Sequence, residues 1–348
     1  MEGTTRTMGS ADIMNGVTPP AGYSARAATL DDAEAVARLR NAYQAAEGDT
    51  SVTTAEEQLN DWQGVNLAED SLLVFAPDGS LAAHGDVFNR RYIQVSVYGG
   101  VHPEQTRHGL GTYVTRGGEA WIRNRMERGP ADAQITTQHY VITHDAAACA
   151  LMDTLGYSYA HTIYVMRIEM DEPPPAPERI DGLRLRTFVP GQDERATFEA
   201  VEEEFRDLRG RPEGDFDRWL GFTENERQDP ELWYLAEDKT SGEIVGTCLA
   251  RNVPGSGTGW VGGVGVKRPW RRRGVALAML RTVFGACYRR GIANVELSVD
   301  ADSPSGAPGV YTRAGMRVTQ SISLYRRQLR PGRDYNTLPD TTDADSDA

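Results

Sequence analysis

Cysteine is scarce in this chain of 348 residues: Cys149, Cys248 and Cys287 form an odd, scattered set. Three thiols without Cys-x-x-Cys spacing exclude a disulfide framework and a thiolate metal site, so each is expected to be a small core residue. No apolar run is long enough to cross a bilayer, and residues 1–22 lack the basic-then-apolar layout of a secretory signal, so no membrane partner and a cytoplasmic location are expected. Net positive charge is also missing. A balance of −13 argues against nucleic acid as a partner, because that binding is dominated by phosphate neutralisation over a broad basic face. Histidine is absent from the whole C-terminal half: His84, His102, His108, His139, His144 and His161 all fall in the first half, without ligand spacing. No metal site is expected from them, and His144 and Asp145, as chain neighbours, are expected to point apart.

A chain of this length with 39% hydrophobic residues holds two domains, each with its own core. Residues 1–22, rich in Gly, Thr, Ser and Pro, and residues 331–348, acidic and polar, are expected to be disordered tails. The stretch from Asp171 to Glu178 reads Asp-Glu-Pro-Pro-Pro-Ala-Pro-Glu, which favours extended polyproline geometry and cannot continue a helix. A linker over 171–181 then separates an N-terminal domain, 23–170, from a C-terminal domain, 182–330. Each begins with a strand, Tyr23 to Ala28 and Leu183 to Phe188. Helices around Asp31 to Ala46 and Gln192 to Arg206 follow, then strands near Ser71 to Phe75 and Trp233 to Ala236.

The most informative stretch is Val264-Gly265-Val266-Lys267-Arg268-Pro269-Trp270-Arg271-Arg272-Arg273-Gly274-Val275-Ala276. An apolar run with glycines, Val261 to Val266, predicts a strand. Ala276, Met279, Leu280, Val283 and Cys287 recur at helical spacing. The first N–H groups of a helix have no internal partner and sit at the positive end of its dipole, so an anion is the natural guest at such a turn. Gly274 and Ala276 let phosphate oxygens approach the backbone, while Arg271, Arg272 and Arg273 supply charge and forked donors. No Gly-Lys-Ser/Thr follows, so this is not a P-loop.

The arrangement Arg-x-x-Gly-x-Ala after a Val-x-Val strand resembles the acetyl-CoA motif of the GNAT superfamily of N-acetyltransferases. The resemblance implies an α/β fold in which a mixed twisted sheet is flanked by helices, with acetyl-CoA as cosubstrate held by Val264, Gly265, Val266, the three arginines, Gly274, Val275 and Ala276. It continues through strand Asn294 to Val299 and a loop containing Ser303, assigned to the same site, to Val310-Tyr311-Thr312-Arg313-Ala314-Gly315-Met316. By position Tyr311 inherits the role of general acid toward the departing CoA thiolate. With reference pKa values of about 10 and about 8.5, full transfer from tyrosine to a thiolate is uphill by roughly 2 kcal/mol, so hydrogen bonding to the developing charge matters as much.

The pattern occurs twice. Val95 to Val101 precede His102-Pro103-Glu104-Gln105-Thr106-Arg107-His108-Gly109-Leu110-Gly111 and a helix through Trp121 to Met126. Gly274 follows Gly109 by 165 positions, and Gly315 follows Gly156 by 159, so the chain is an internal duplication. Its last strands match too, Tyr157 to Met170 against Met316 to Leu329. In the first copy Thr106 stands where Arg271 stands, and Leu151-Met152 replaces Val310-Tyr311, so this copy is not expected to catalyse transfer. Val101, Arg107, His108, Gly109, Leu110 and Gly111 form a possible second CoA site; equally, the glycines serve only the turn and close packing.

Acyl transfer to an amine needs a neutral nucleophile, and an alkyl ammonium loses its proton at neutral pH at a cost of roughly 4 to 5 kcal/mol. Members of this superfamily often carry a glutamate on the strand before the motif, and mycothiol synthases are tandem proteins of similar layout. Here Trp260 takes that place. The carboxylates left are Glu202, Glu203, Glu204 and Asp207, with Glu203 the candidate base, or else a solvated helix face. The thioester carbonyl is expected at a backbone N–H near Val266. Gly262, Gly263 and Gly265 leave room for pantetheine beside the strand. The expected activity is acetyl transfer from acetyl-CoA to a small-molecule amine by the C-terminal copy. The alternatives are a non-enzymatic acyl-CoA-binding protein and a protein N-acetyltransferase. Oligomeric state is not legible.

Overall fold

The computed structural model describes residues 17–48, 52–206, 214–223, 228–253 and 256–335. Most of both expected tails, and Asp207, lie outside the described residues. The first half runs β1 (Ser24–Arg26), α1 (Ala33–Ala46), α2 (Ala55–Asp61), α3 (Leu67–Asp70), β2 (Ser71–Phe75), β3 (Leu81–Arg90), β4 (Gln94–Val101), α4 (Leu110–Arg123), β5 (Ile135–Ile142), α5 (Ala146–Thr154) and β6 (Ser158–Glu169). The second half repeats the order with one α-helix fewer before its second strand among the described residues: β7 (Leu183–Thr187), α6 (Glu194–Glu204), α7 (Phe216–Thr223), β8 (Trp233–Asp238), β9 (Ile244–Val253), β10 (Thr258–Val266), α8 (Val275–Arg289), β11 (Asn294–Asp300), α9 (Ala307–Arg313) and β12 (Arg317–Arg330).

These elements build two compact units that are not contiguous in sequence. Unit 1 joins 17–161 to Ile322–Asp334, and unit 2 is built on Thr162–Ser321. The sheet of unit 1 has the order β1-β2-β3-β4-β5-β12, and that of unit 2 the order β7-β8-β9-β10-β11-β6. In each, one neighbouring pair is parallel, β4 with β5 and β10 with β11. The units differ from the boundaries expected at 23–170 and 182–330: the two last strands are exchanged, and the segment 171–181, expected as a linker between domains, falls inside unit 2. β6 pairs antiparallel with β11 from Asn294↔Glu169 to Asp300↔Ile163, and Arg167 clasps Glu296 across the pair. β12 pairs with β5, and its Arg327 donates to Glu119 on α4 (2.8 Å) and to the Leu155 carbonyl (2.9 Å).

Each unit has its own core. In unit 1, α4 lays Leu110, Tyr113, Trp121 and Ile122 onto Leu72, Val95 and Ile135; a Cβ at Gly118 would stand 2.2 Å from Val97 Cγ2, so only glycine lets the helix approach this closely. In unit 2, α8 buries Met279, Leu280, Val283 and Phe284 against Met166, Val295 and Leu297. Cys248 and Cys287 are fully buried among these apolar groups, Cys149 is half-buried, and all three are free thiols. No helix among the described residues is long and apolar enough to cross a membrane.

Candidate active site

In unit 2 the parallel pair opens into a gap. β10 and β11 are paired only at Thr258↔Asn294, Gly259↔Val295 and Trp260↔Glu296, whereas β10 stays paired with β9 as far as Val266↔Gly246. From Val261 onward one edge of β10 thus has no neighbouring strand, and the β9 register slips at Gly262, a β-bulge that re-aims the strand as it leaves β11. Unpaired strand edges accept extended ligands by main-chain hydrogen bonding. Beyond Gly262, the α6 end covers the strand. A Cβ on Gly263 would meet the Phe205 ring at 3.7 Å, and one on Gly265 would stand 2.0 Å from Glu204 Oε2.

The turn after β10 separates the three arginines. Arg271 bonds within the protein, its Nε to the Val266 carbonyl (2.9 Å) and its Nη2 to the Glu204 carbonyl (3.0 Å), so it braces the strand end against α6. Arg272 adopts a left-handed backbone, φ 63°, and Arg273 lies over the Trp270 ring at 4.8 Å. Gly274 is left-handed again, φ 82°, and begins α8 with no side-chain cap, leaving the first helical N–H groups turned outward. A turn of this shape, with outward N–H groups and arginine donors, suits a pyrophosphate. Ser303 lies on the loop after β11, its hydroxyl 2.9 Å from that of Ser305.

Tyr311, on α9, is buried in the unit 2 core. Burial, reinforced by Cys248, pushes its pKa up to about 12. The carboxylates of α6 are sorted by the helix. Glu203 faces Lys267, Oε2 to Nζ 2.9 Å, which Glu243 shares at 2.6 Å. Glu204 turns inward, only 5% exposed, and its Oε2 accepts from Thr247 Oγ1 at 2.5 Å. Thr247, on β9 directly opposite Gly265, carried no signal of its own in the sequence.

Unit 1 keeps the turn and changes the rest. Arg107 (φ 65°) and Gly109 (φ 80°) repeat the left-handed pair, and His108 packs against Tyr23, ring centroids 6.0 Å apart. β4 parts from β5 after Val97↔His139, but the β3–β4 ladder runs without a register shift. Tyr98 and Tyr140, on either side of the gap, are stacked at 5.0 Å. Met152, not a tyrosine, fills the α5 position. Gly100 occupies the place of Gly265, and the group over it is the Tyr43 ring, 2.3 Å from an ideal Cβ. His84, in the place of Thr247, stacks on Tyr43. The remaining histidines show no shared site: His144 meets Glu47 (3.1 Å), while Asp145 accepts from the Ala148 N–H.

The polar cluster beneath α1 makes unit 1 sensitive to pH. Asp86 Oδ2 accepts from Trp62 Nε1 at 3.0 Å, and burial pushes the carboxyl up from the ordinary carboxylate range to about 6, although Trp62 and Arg40 work the other way. The other groups around it are Asp61, which pairs with Arg40, and His84, which burial pushes down to about 3. A folded-state pKa above the unfolded one gives stability that is present below pH about 4 and lost as pH rises through about 6, by about 3 kcal/mol in all. Asp86→Asn keeps an oxygen for Trp62 and removes the titration, while His84 titrates in both proteins. Amide hydrogen exchange in β3 and β4 is therefore expected to show the variant more stable by about 3 kcal/mol at pH 8 and by about half that at pH 5. Equal protection at pH 8 would contradict it.

Residues 196–316 match the acetyltransferase (GNAT) family. A crystal structure of a GCN5-related N-acetyltransferase from Sphaerobacter thermophilus is 53% identical, covers 92% of this chain and 100% of its own, and superposes with a TM-score of 0.87. A mycothiol acetyltransferase from Salinispora arenicola is 28% identical over 327 residues, 90% of this chain and 100% of the relative. A tandem GNAT protein from the clavulanic acid biosynthesis pathway shares the fold, with a TM-score of 0.64 at 15% identity over 89% of this chain and 100% of its own. With its duplicated units, the open edge of β10 and the left-handed turn before α8, the chain belongs to the GCN5-related N-acetyltransferase (GNAT) family of acetyl-CoA-dependent enzymes.

Proposed function

We propose that unit 2 transfers the acetyl group of acetyl-CoA to the amine of a small-molecule acceptor, and that unit 1 is a copy without turnover. The observation that carries this reading is the asymmetry between two otherwise matching gaps. In unit 2 the strand edge is open, bulged at Gly262 and lined by Gly263 and Gly265, and Tyr311 stands on α9, the helix after β11. In unit 1 the bulge is absent, stacked tyrosines flank the gap, and Met152 replaces the tyrosine. A small-molecule acceptor is supported by the relatives named mycothiol acetyltransferase.

Acetyl-CoA supplies an activated thioester; the chain binds and orients it. The pyrophosphate is assigned to the outward N–H groups at Gly274, Val275 and Ala276 with Arg272 and Arg273, and pantetheine to the edge from Gly262 to Val266, with Val266 as the carbonyl's backbone donor. Ser303 borders the same site. Arg271 contributes by holding the strand end. Tyr311, with its pKa raised to about 12, is a weaker acid than an ordinary thiol by about 5 kcal/mol, so its part is a hydrogen bond to the departing sulfur and a concerted relay, not formation of free tyrosinate.

Calorimetric titration with acetyl-CoA tests the assignment. Arg272→Ala with Arg273→Ala is expected to weaken one site by roughly 100-fold or more, since each charge-assisted hydrogen bond contributes about 1.5 to 3 kcal/mol. A site that survives in the variant would place CoA in unit 1 as well, at Val101, Arg107, His108, Gly109, Leu110 and Gly111. Wild-type protein that binds no acetyl-CoA, or a variant that binds it unchanged, would overturn the reading.

A further inference from the structure

Glutamate at position 204 is an expensive residue to bury, and the structure buries it at one place: over the strand beside the gap. The residue is 5% exposed, its Oε2 accepts from Thr247 at 2.5 Å, and its side chain occupies the volume that any side chain at position 265 would take. The unit that keeps the open edge thus has a carboxylate–hydroxyl pair over its glycine. The unit without the bulge has an aromatic pair there, Tyr43 over Gly100 and His84 beneath it, with no group in that pair able to hold a negative charge near neutrality. The brace from Arg271 to the Glu204 carbonyl fixes this end of α6 to the end of β10. Glu203, one residue earlier, is turned to Lys267 at 2.9 Å and is 40% exposed.

We infer that Glu204, positioned by Thr247, is the proton acceptor for the incoming amine. This rests on the assignment of transfer to unit 2. The carboxylate takes one proton from the acceptor's ammonium group. The neutral amine forms the new C–N bond to the acetyl carbonyl carbon, the C–S bond breaks, and its electron pair leaves with the sulfur of CoA. The second nitrogen proton ends on that sulfur through the Tyr311 hydroxyl. Glu204 then returns its proton to solvent, so ammonium plus thioester gives amide, thiol and one released proton. Thr247 does not touch the acceptor; it is a positioning residue.

The test separates proton removal from mere support of the fold. Wild type and Glu204→Gln are assayed at neutral pH for CoA thiol release with ethylamine, which is an ammonium there, and with hydroxylamine, which is already neutral. Acetyl-CoA binding is followed in parallel by calorimetry. Glu204→Gln is expected to lower kcat for ethylamine by roughly 100-fold, to lose the acidic limb of the pH–rate profile, and to leave both hydroxylamine acetylation and acetyl-CoA affinity within about threefold. Thr247→Val is expected to lower kcat for ethylamine by about tenfold, again sparing hydroxylamine, and Thr247→Ser to restore it. Equal losses with both nucleophiles, an acidic limb retained in Glu204→Gln, or wild type that binds acetyl-CoA yet acetylates neither amine would overturn the proposal. Wild type that fails to bind acetyl-CoA at all would instead overturn the assignment of function on which it rests.

Discussion

Removing the chain after Ser321 is expected to unfold unit 1, the N-terminal unit, and to leave unit 2 standing. The deleted segment carries the part of β12 that pairs with β5, from Ile322↔Ile142 to Arg330↔Ile135. With it go Leu324 and Tyr325, both buried, the second of which packs with Val141, Met152, Leu155 and Tyr157. Each such side chain contributes about 1.5 to 3 kcal/mol by burial. Glu119, 3% exposed, would lose Arg327 while keeping Arg116, and removing one partner of a buried pair costs about 3 to 5 kcal/mol. The total is comparable with the 5 to 15 kcal/mol that hold a domain folded. Hydrogen exchange with mass spectrometry would read the outcome by segment: protection lost in β2 to β5 and kept in β8 to β11. Protection lost in β8 to β11 instead would mean that β12 belongs to the unit that precedes it in sequence.

That reversal marks the limit of what was legible beforehand. The repeat, the strand–turn–helix motif and most elements follow from local patterns: β2 runs from Ser71 to Phe75, the strand before the motif is β10, and the helix after it starts at Val275, with Gly274 as its N-cap. Strand exchange leaves no such trace. β6 and β12 occupy equivalent places in the duplication, so either would satisfy the alternation that a neighbour demands; the choice is made by non-local partners, Glu296 for Arg167 and Glu119 for Arg327.

The site was legible in its backbone and less so in its side chains. A run of three arginines reads as three equivalent donors, but the left-handed turn gives each its own direction, and Arg271 is spent on carbonyls of Val266 and Glu204. Glu203 and Glu204 are adjacent, and composition alone does not choose between them. Helical spacing does: Thr197, Ala200, Val201 and Glu204 are the buried positions of α6, at intervals of three, four and seven, so Glu204 falls on the inward stripe and Glu203 does not. Thr247 had no motif around it, because its role depends only on standing opposite Gly265 across β9 and β10.

Gly265→Ala is expected to lower kcat for ethylamine by roughly 100-fold, as much as Glu204→Gln, if Glu204 acts as inferred. The added methyl would stand 2.0 Å from Glu204 Oε2, 2.6 Å from its Cδ and 2.7 Å from its Cβ, so rotating the carboxylate away does not relieve the clash. Either the Thr247 hydrogen bond breaks, or the end of α6 retreats from β10 against the hold of Arg271. Overpacking of this kind costs about 1 to 3 kcal/mol of stability, which leaves the unit folded. Gly221→Ala, on α7, supplies the control outside the site. Its Cβ would meet nothing within 4 Å, so acetylation of both amines by that variant is expected to stay within about threefold of wild type. Measuring kcat with ethylamine and hydroxylamine for both variants, beside their thermal melts, distinguishes the causes. Loss at 265 confined to ethylamine reports a displaced proton acceptor, whereas equal loss with both nucleophiles reports a strand edge that no longer seats the thioester. Full activity in Gly265→Ala would show that the Glu204 carboxylate can leave its place over the strand without consequence, and would remove it from the mechanism.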